Sequence, residues 1–578
     1  MFPPGLATGR SDGQGWGVAN GRQIQRRFSR GRAGVNARRR VARTGGVGLA
    51  LVAVAVAAGG AGAGPWFRES ARQAGIAFRH QFCSDGIRNI LLSNGAGGVV
   101  FDYDGDGWPD IYLVNWRPLP GVTRPGRGRA EAPNRLYRNR GDGTFEDVTD
   151  RAGVAGTGFA SAAAAGDYDH DGRPDLYVAC FGRNQLFRNR GDGTFAEVTD
   201  RAGVADSRGN GISTLFFDAD GDGWLDLYVA NYLTFDPATI SDQNPGAYPG
   251  PLAYPGQPDV LFRNRGDGTF EDATRAAGLY APGQRAMSVS AFDADRDGDT
   301  DLYVSNDDTP NGFWLNDGRG HFQERGLELG VALNSIGEAP GSMNATLGDV
   351  NGDGWLDLFV SRFGYGSLYV RQPGGHYRDE MWRSGLGRLT QNYVGWGSSF
   401  GDFDNDGDPD LCVVNGSAFT LGGTRSLLLE NRGDGRFADA GPKGGPFFTT
   451  PIDGRGSAVL DYDNDGRLDL LITTLAGPAH LLRNCALTGN HWLKLDLRAR
   501  CGGLAYGALV TLEAGGRRRT GELLCPTGFL LQSDARLHFG LGRAARVERL
   551  EIRWPGGKRE VLTDLPVDQI IRLYEPAN

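Results

Sequence analysis

"DYDGDGWPD" occupies residues 102–110, and six variants of it recur along the 578-residue chain. They are "DYDHDGRPD" at 167–175, "DADGDGWLD" at 218–226, "DADRDGDTD" at 293–301, "DVNGDGWLD" at 349–357, "DFDNDGDPD" at 402–410 and "DYDNDGRLD" at 461–469. An apolar run precedes each copy and an alternating run follows it. In the first repeat "NRLYRN", "RGDGT" and "FEDVT" come next. That pattern predicts four short strands per repeat, separated by turn chemistry. Seven such units at a period of 51 to 75 residues predict an all-β fold, a seven-bladed β-propeller followed by a small C-terminal β-domain.

"RNRGDGTF" stands at 138–145, 188–195 and 263–270, and "NRGDGRF" at 431–437. Each contains the Arg-Gly-Asp tripeptide known from integrin ligands. Here it falls between the third and fourth strands, where Asp-Gly favours a tight hairpin turn. The fourth repeat has "NDGRGHF" and the fifth "RQPGGHY" instead. A Gly-rich turn followed by an aromatic residue persists, so the tripeptide is read as a turn.

The last repeat lacks its fourth strand. "WFRESARQAGIAF" at 66–78 resembles "TFEDVTDRAGVAG" at 144–156. Phe67 therefore joins Phe145, Phe195, Phe270, Phe322, Tyr377 and Phe437 as one recurring position. The expectation is a propeller over 64–484 whose last blade is completed by the strand 66–70. Residues 485–578 read as a separate β-domain with alternating segments such as "WLKLDL" and "VERLEIRW".

The acidic loops place hard oxygen ligands at alternate positions of a tight turn, which is calcium chemistry. The candidate ligands are Asp102, Asp104, Asp106 and Asp110 in the first loop, with Asp167, Asp169, Asp171 and Asp175 in the second. The third offers Asp218, Asp220, Asp222 and Asp226, and the fourth Asp293, Asp295, Asp297 and Asp301. The fifth offers Asp349, Asn351, Asp353 and Asp357, the sixth Asp402, Asp404, Asp406 and Asp410, and the seventh Asp461, Asp463, Asp465 and Asp469. Position twelve is Leu113, Val178 or Val304 rather than the Glu of an EF-hand. Carboxylates about 4 Å apart repel by roughly 4 kcal/mol at an effective dielectric of about 20, so bare clusters would oppose folding. Up to seven Ca²⁺ ions in a structural role are expected. Mg²⁺ suits the loops less well because it dehydrates reluctantly. The fifth loop, with Asn351, and the fourth, with Arg296, are the weakest candidates.

Charge is divided unevenly. Residues 1–45 hold ten Arg and one Asp, and 46–63 hold no charge. Since the whole chain carries −8, the part from Gly64 carries −17, which excludes nucleic acid as an expected partner. Seven Ca²⁺ would reduce that to −3. "GGVGLALVAVAVAAGGAGAG" at 45–64 resembles a signal-peptide core ending in a small-residue cleavage site. Residues 1–63 are read as a basic tail plus signal peptide, with an uncleaved membrane anchor as the alternative. A start downstream of Met1 or a twin-arginine route stays open. Every version places the body outside the cytoplasm, secreted or periplasmic. Six Cys form no dense framework. Cys501 and Cys525 are the expected disulfide, and Cys180 and Cys412 the expected buried thiols.

At this point the chain resembles a known family. The repeats look like the FG-GAP/VCBS repeats of integrin-α-type propellers. The tail, with "NHWLKLDLRAR" (490–500), "YGALVTLEAGGRRRTGEL" (506–523) and "VERLEIRWPGGKREVLTDLPVDQIIRLYEP" (547–576), resembles the ASPIC/UnbV domain. Together they resemble cartilage-acidic-protein-like proteins. The resemblance implies an extracytoplasmic, calcium-loaded propeller with a small β-domain and no established catalytic activity. The insertion 232–258 lacks the Cys that many relatives carry there, and Cys501 and Cys525 stand outside the usual tail pattern, which puts any family disulfide scheme in doubt.

Two functions fit these features. The first is a binding, scaffold or adhesion-type module for a protein or polysaccharide ligand, because propellers present rigid loops. The insertions 116–133 and 232–258 follow the second strand of their repeats and should emerge on one face. Trp116, Tyr232, Tyr248 and Tyr254 are their candidate contact residues. The second is a calcium-dependent polysaccharide lyase or hydrolase. Seven scattered His and the absence of a nucleophile–base order or zinc motif disfavour it, and no catalytic residue is assigned. Trp108, Trp224 and Trp355 share one loop position and are read as packing over the loops, with a stacking surface for sugars as the alternative.

Overall fold

The computed structural model describes residues 64–95, 97–123, 132–207, 209–239, 248–525 and 528–577. The basic tail and apolar run of 1–63, and parts of both insertions, lie outside the described residues.

The chain is all-β, and its first body is a seven-bladed propeller. Blade one comprises Gly98–Phe101, Asp110–Leu113, Arg135–Asn139 and Phe145–Asp147, paired antiparallel in that order. Blades two to six repeat the four-strand order from Phe159, Gly211, Ala286, Ser342 and Gly395. Blade seven comprises Gly454–Leu460, Asp469–Thr474 and His480–Asn484, and its outer strand is Phe67–Glu69, with Phe67 opposite Asn484. The N-terminal strand thus closes the ring.

Antiparallel order fixes which connections share a face. The acidic loops join first to second strands and the Arg-Gly-Asp turns join third to fourth, so both lie on one face. The second-to-third and blade-to-blade connections lie on the other. In the turns Asp142 Oδ1 accepts from Thr144 N (2.9 Å) and Thr144 Oγ1 (2.6 Å), and Asp192 and Asp267 repeat this with Thr194 and Thr269. The tripeptide Asp is thereby spent inside its own turn.

Apolar packing joins the blades. The first residue of each outer strand is buried, and several pack on the second residue of the preceding blade's acidic loop. Ring centroids are 6.0 Å apart for Phe195 and Tyr103, 5.5 Å for Phe270 and Tyr168, 5.9 Å for Phe145 and Tyr462, and 5.5 Å for Phe67 and Phe403.

The C-terminal domain packs two sheets around one core. His491–Arg498 lies between Leu537–Gly542 and Gln569–Tyr574, and the second sheet runs Arg517–Glu522, Leu509–Ala514, Arg546–Arg553, Arg559–Pro566. Leu495, Leu512, Leu550 and Trp554 are among its buried residues. The domain also reaches into the propeller. Leu531–Gln532 pairs parallel with the inner strand of blade one, Gly98 opposite Leu531. Gln532 Nε2 donates to Thr214 O (2.9 Å), Val459 N donates to Ser533 Oγ (2.9 Å), and Phe529 packs 5.2 Å from Trp396. The ring's axis is filled by this segment, and Phe529 and Leu530 share an apolar cluster with Ile90, Ile212, Met287 and Met343.

Two expectations are corrected. Cys501 and Cys525 form no disulfide. The carbonyl of Cys501 lies beside Gly172 in the second acidic loop, whereas Cys525 is buried in the central cluster, where burial pushes its thiol up to about 12. The aromatic residues assigned to a contact surface are mostly interior. Trp116, Tyr232 and Tyr254 are at most 2% exposed, and Tyr248 is half-buried. Trp116 stacks on Phe159 (4.5 Å), Tyr232 donates to Asp307 Oδ2 (2.6 Å), and Tyr254 stacks on Phe235 (5.6 Å). Tyr248 donates to Ala418 O (2.6 Å), so the insertion of blade three reaches blade six. Trp116, Tyr232 and Tyr254 anchor the insertions rather than project from them, whereas Tyr248 anchors its insertion and keeps part of its side chain exposed.

Candidate metal loops

Each acidic loop is shaped by its own side chains. The Asp at position five accepts the backbone N–H of position seven in all seven copies, as in Asp222 Oδ1 with Trp224 N at 2.8 Å. The Asp at position one accepts from the Gly at position six, as in Asp402 Oδ2 with Gly407 N at 2.7 Å. That Gly has positive φ in every loop, between 81° and 109°, which explains why no other residue stands there. Position four is also left-handed, and holds Gly, Asn, His170 or Arg296.

The Asp at position nine is buried and staples two strands. Asp226 Oδ2 accepts from Ala219 N (3.0 Å) and Oδ1 from Asn264 N (2.7 Å). Asp110, Asp175, Asp301, Asp357, Asp410 and Asp469 make the same pair of bonds.

Sequence reasoning missed the partner of this staple. The Asn ending the third strand donates to the loop carbonyl of the preceding blade: Asn189 to Tyr103 O (2.7 Å), Asn264 to Tyr168 O (2.8 Å), Asn316 to Ala219 O (2.8 Å). Asn431 reaches Val350 O (2.9 Å), Asn484 Phe403 O (2.7 Å), and Asn139 Tyr462 O (2.8 Å) across the closure. Arg371 takes the place in blade five and donates to Ala294 O. Seven bonds tie the seven loops into one ring. The signal was the Asn that ends "LYRN" and its relatives.

The residue before that Asn divides the loops. Arg138 bridges Asp104 (2.5 Å) and Asp106 (2.7 Å), Arg263 reaches Asp220 (3.2 Å), Arg483 reaches Asp463 (2.6 Å), and Arg188 pairs with Asp169 and Asp171. Blades four to six carry Leu315, Val370 and Glu430 there. The tryptophans pack locally. Trp224 stacks 3.9 Å from His170, and Arg296 lies 3.8 Å over Trp355.

Several loops form Asp groups that could hold a metal ion. Asp102, Asp104 and Asp110 bring ligand oxygens within 4.8 Å of one another, as do Asp167, Asp169, Asp175 and Asp218, Asp220, Asp226. Asp293, Asp295, Asp297 and Asp402, Asp404, Asp406 form comparable groups. The donor set is all oxygen, and in five loops at least one buried carboxylate oxygen has no hydrogen-bond donor: Oδ1 of Asp102, Asp169, Asp220, Asp293 and Asp463, with Asp299 Oδ1 a second in the fourth loop. A buried oxygen left without a donor within a carboxylate cluster fits a hard cation. Burial, with neighbouring carboxylates, pushes Asp218 up to about 6 and Asp301 and Asp357 up to about 8. Such groups favour losing their charge or gaining a counter-ion.

The C-terminal domain covers this face. Arg553 pairs with Asp293 (2.5 Å), Lys494 lies 3.5 Å from Asp461, Arg517 pairs with Asp408, and Asn490 Nδ2 donates to Asp404 O (2.9 Å).

Comparison with known proteins agrees with this architecture. The FG-GAP-like repeat family matches residues 102–178, 167–229, 252–304, 293–360, 349–413 and 402–472, and the ASPIC and UnbV family matches 500–578. The protein is an FG-GAP-type propeller whose acidic loops include Asp groups that could hold metal ions. More narrowly, the chain belongs to the FG-GAP-repeat proteins that carry an ASPIC/UnbV domain. It is 25% identical over 483 residues to human cartilage acidic protein 1, covering 80% of this chain and 60% of that protein, and 25% identical over 486 residues to the mouse protein, covering 80% and 62%. The chain thus spans about three-fifths of the length of these relatives. Among solved structures, an Agrocybe aegerita lectin described as recognising non-reducing terminal N-acetylglucosamine aligns with a TM-score of 0.38 and 18% identity over 66% of this chain and 86% of its own. BBS1N in complex with ARL6DN aligns at 0.40 and 9% over 74% and 99%, and the V. cholerae biofilm matrix protein Bap1 at 0.30 and 11% over 84% and 61%.

Proposed function

We propose that the protein is an extracytoplasmic binding or scaffold module without catalytic activity. Calcium in its acidic loops is structural, and the face opposite those loops is its contact surface. One observation carries the reading. Among the described residues, the eight large apolar side chains exposed on the propeller all lie on connections of that opposite face: Leu252, Tyr280, Leu327, Ile336, Phe363, Trp382, Phe419 and Leu421. Phe363 and Phe419 are 6.2 Å apart, and Tyr248 lies 5.5 Å from Phe419, forming one aromatic patch contributed by blades three, five and six. Exposed apolar residues gathered on one face mark interaction sites, whereas scattered ones need no explanation. The partner is a protein or polysaccharide outside the cell.

The test is binding to arrays of polysaccharides and extracellular proteins, comparing the natural chain with Phe363→Ser/Phe419→Ser. Ligands retained by the natural chain and lost by the double variant, at unchanged melting temperature, support the reading. Ligands held equally by both place the contact surface elsewhere. Turnover of a bound polysaccharide would overturn the non-catalytic assignment.

A further inference from the structure

The C-terminal domain does not close fully on blades five to seven. A cavity of about 300 Å³ remains between them, at the lower end of the range for small-molecule sites. The apolar lining includes Leu356 and Phe400 from the propeller and Phe539 from the C-terminal domain, whose ring lies against Gly521 of the strand Arg517–Glu522. That strand also lines the cavity, as do the carboxylates Asp349, Asp402 and Glu522. Arg517 is paired with Asp408, and Lys494 and Arg536, which also line the cavity, share Asp534 at 3.2 and 2.7 Å.

Arg519 is different. It is 9% exposed and lies against Gly407 of the sixth acidic loop, whose Asp402, Asp406 and Asp408 act as nearby counter-charges; its Nη1 donates to Ala514 O at 3.4 Å, and its Nε is buried without an acceptor. A buried guanidinium N–H left unpaired is costly and calls for an acceptor. His538 lines the same cavity. Its Nε2 lies 3.0 Å from Gly466 O, which fixes Nε2 as the donor, and its Nδ1 is buried without a partner. In that tautomer Nδ1 is an acceptor and suits a hydroxyl group.

We propose that this junction cavity binds a sugar acid of monosaccharide size. Arg519 receives the carboxylate, His538 Nδ1 accepts from a ring hydroxyl, and the carbon face of the ring lies on Phe400, Phe539 and Leu356. An inorganic anion would answer Arg519 but leave His538 Nδ1 and the apolar wall unmatched. The site is independent of the aromatic patch on the opposite face.

The test is isothermal titration of the calcium-supplemented full chain with D-glucuronate and D-galacturonate, using glucose and sulfate as controls. At least one uronate is expected to bind saturably, with glucose weaker by roughly tenfold or more because a charge-assisted bond is lost. Arg519→Met should weaken uronate binding by roughly tenfold or more at an unchanged melting temperature. Leu356→Trp, which fills the cavity from the propeller side and leaves Arg519 in place, should also abolish binding. The proposal is overturned if neither uronate binds, if glucose binds equally, if sulfate binds as tightly with the same dependence on Arg519, or if both variants bind like the natural chain.

Discussion

The two faces of the propeller are built from the same blades and treated in opposite ways. The acidic face is polar, repetitive and covered by the C-terminal domain. The opposite face is irregular and leaves large apolar groups in water. On the acidic face each side chain has a structural duty: position one folds the loop, position nine staples two strands, and the third-strand Asn ties neighbouring blades. On the opposite face the side chains with structural duties, Trp116 and Tyr232 among them, are buried, while those of Phe363, Trp382 and Phe419 are about half exposed.

That contrast can be broken most forcefully by removing metal. Each filled site adds about 2.7 kcal/mol when free calcium is a hundredfold above its Kd. Chelation is therefore expected to lower the melting temperature far more than any single substitution, and calcium titration should give several ions per chain. An unchanged melting temperature in chelator would sink the structural role. The metal-free protein should also be pH-sensitive. Asp301 and Asp357 stand at about 8 in the folded chain, above roughly 3.9 for an unfolded Asp. The folded form thus binds more protons, and the contribution of these groups is complete below pH ~4 and lost as pH rises toward 8. Urea midpoints at pH 5 and pH 8 in chelator check the sign, and calcium should flatten the difference.

Next in size is Asp226→Ala, which strands two buried N–H groups, those of Ala219 and Asn264. A loss of about 2–5 kcal/mol is expected from urea unfolding. Asn264→Ala removes donors to Tyr168 O and Leu225 O and should cost about 2 kcal/mol by the same measurement. A loss below about 0.5 kcal/mol would mean that the ring of loop-to-loop bonds carries little. Smallest is Phe419→Ser, whose side chain is half exposed: stability should stay within about 0.5 kcal/mol while ligand retention falls.

The repeated half of this organisation was legible in the sequence because each loop is local. Nine residues carry their own turn, ligands and staple, so the Asp positions and the recurring Phe could be read by spacing alone. The third-strand Asn was visible but not interpreted, since its acceptor belongs to the preceding blade. The non-repeated half was not legible. Whether Trp116 and Tyr254 point inward depends on how the insertions cross the ring, and Leu531–Gln532 occupies the axis through contacts with strands hundreds of residues earlier. Cys501 and Cys525 bracket two strands predicted in the C-terminal region, yet the fold sends one to an acidic loop and the other to the central cluster.

The clasp between the first and last strands of the propeller has a consequence for the order of events in folding. Glu69 Oε2 meets His480 Nδ1 at 2.5 Å across 411 residues of chain. The closing strand is synthesised before every other strand of the propeller, and it waits for nearly the whole ring before its partner exists. The inner edge of blade one waits longer still, for Leu531. Contacts this distant in sequence make for slow closure. Until then blades one and seven expose unpaired strand edges, so the interval before the ring shuts is when this chain is most open to mispairing with another copy of itself.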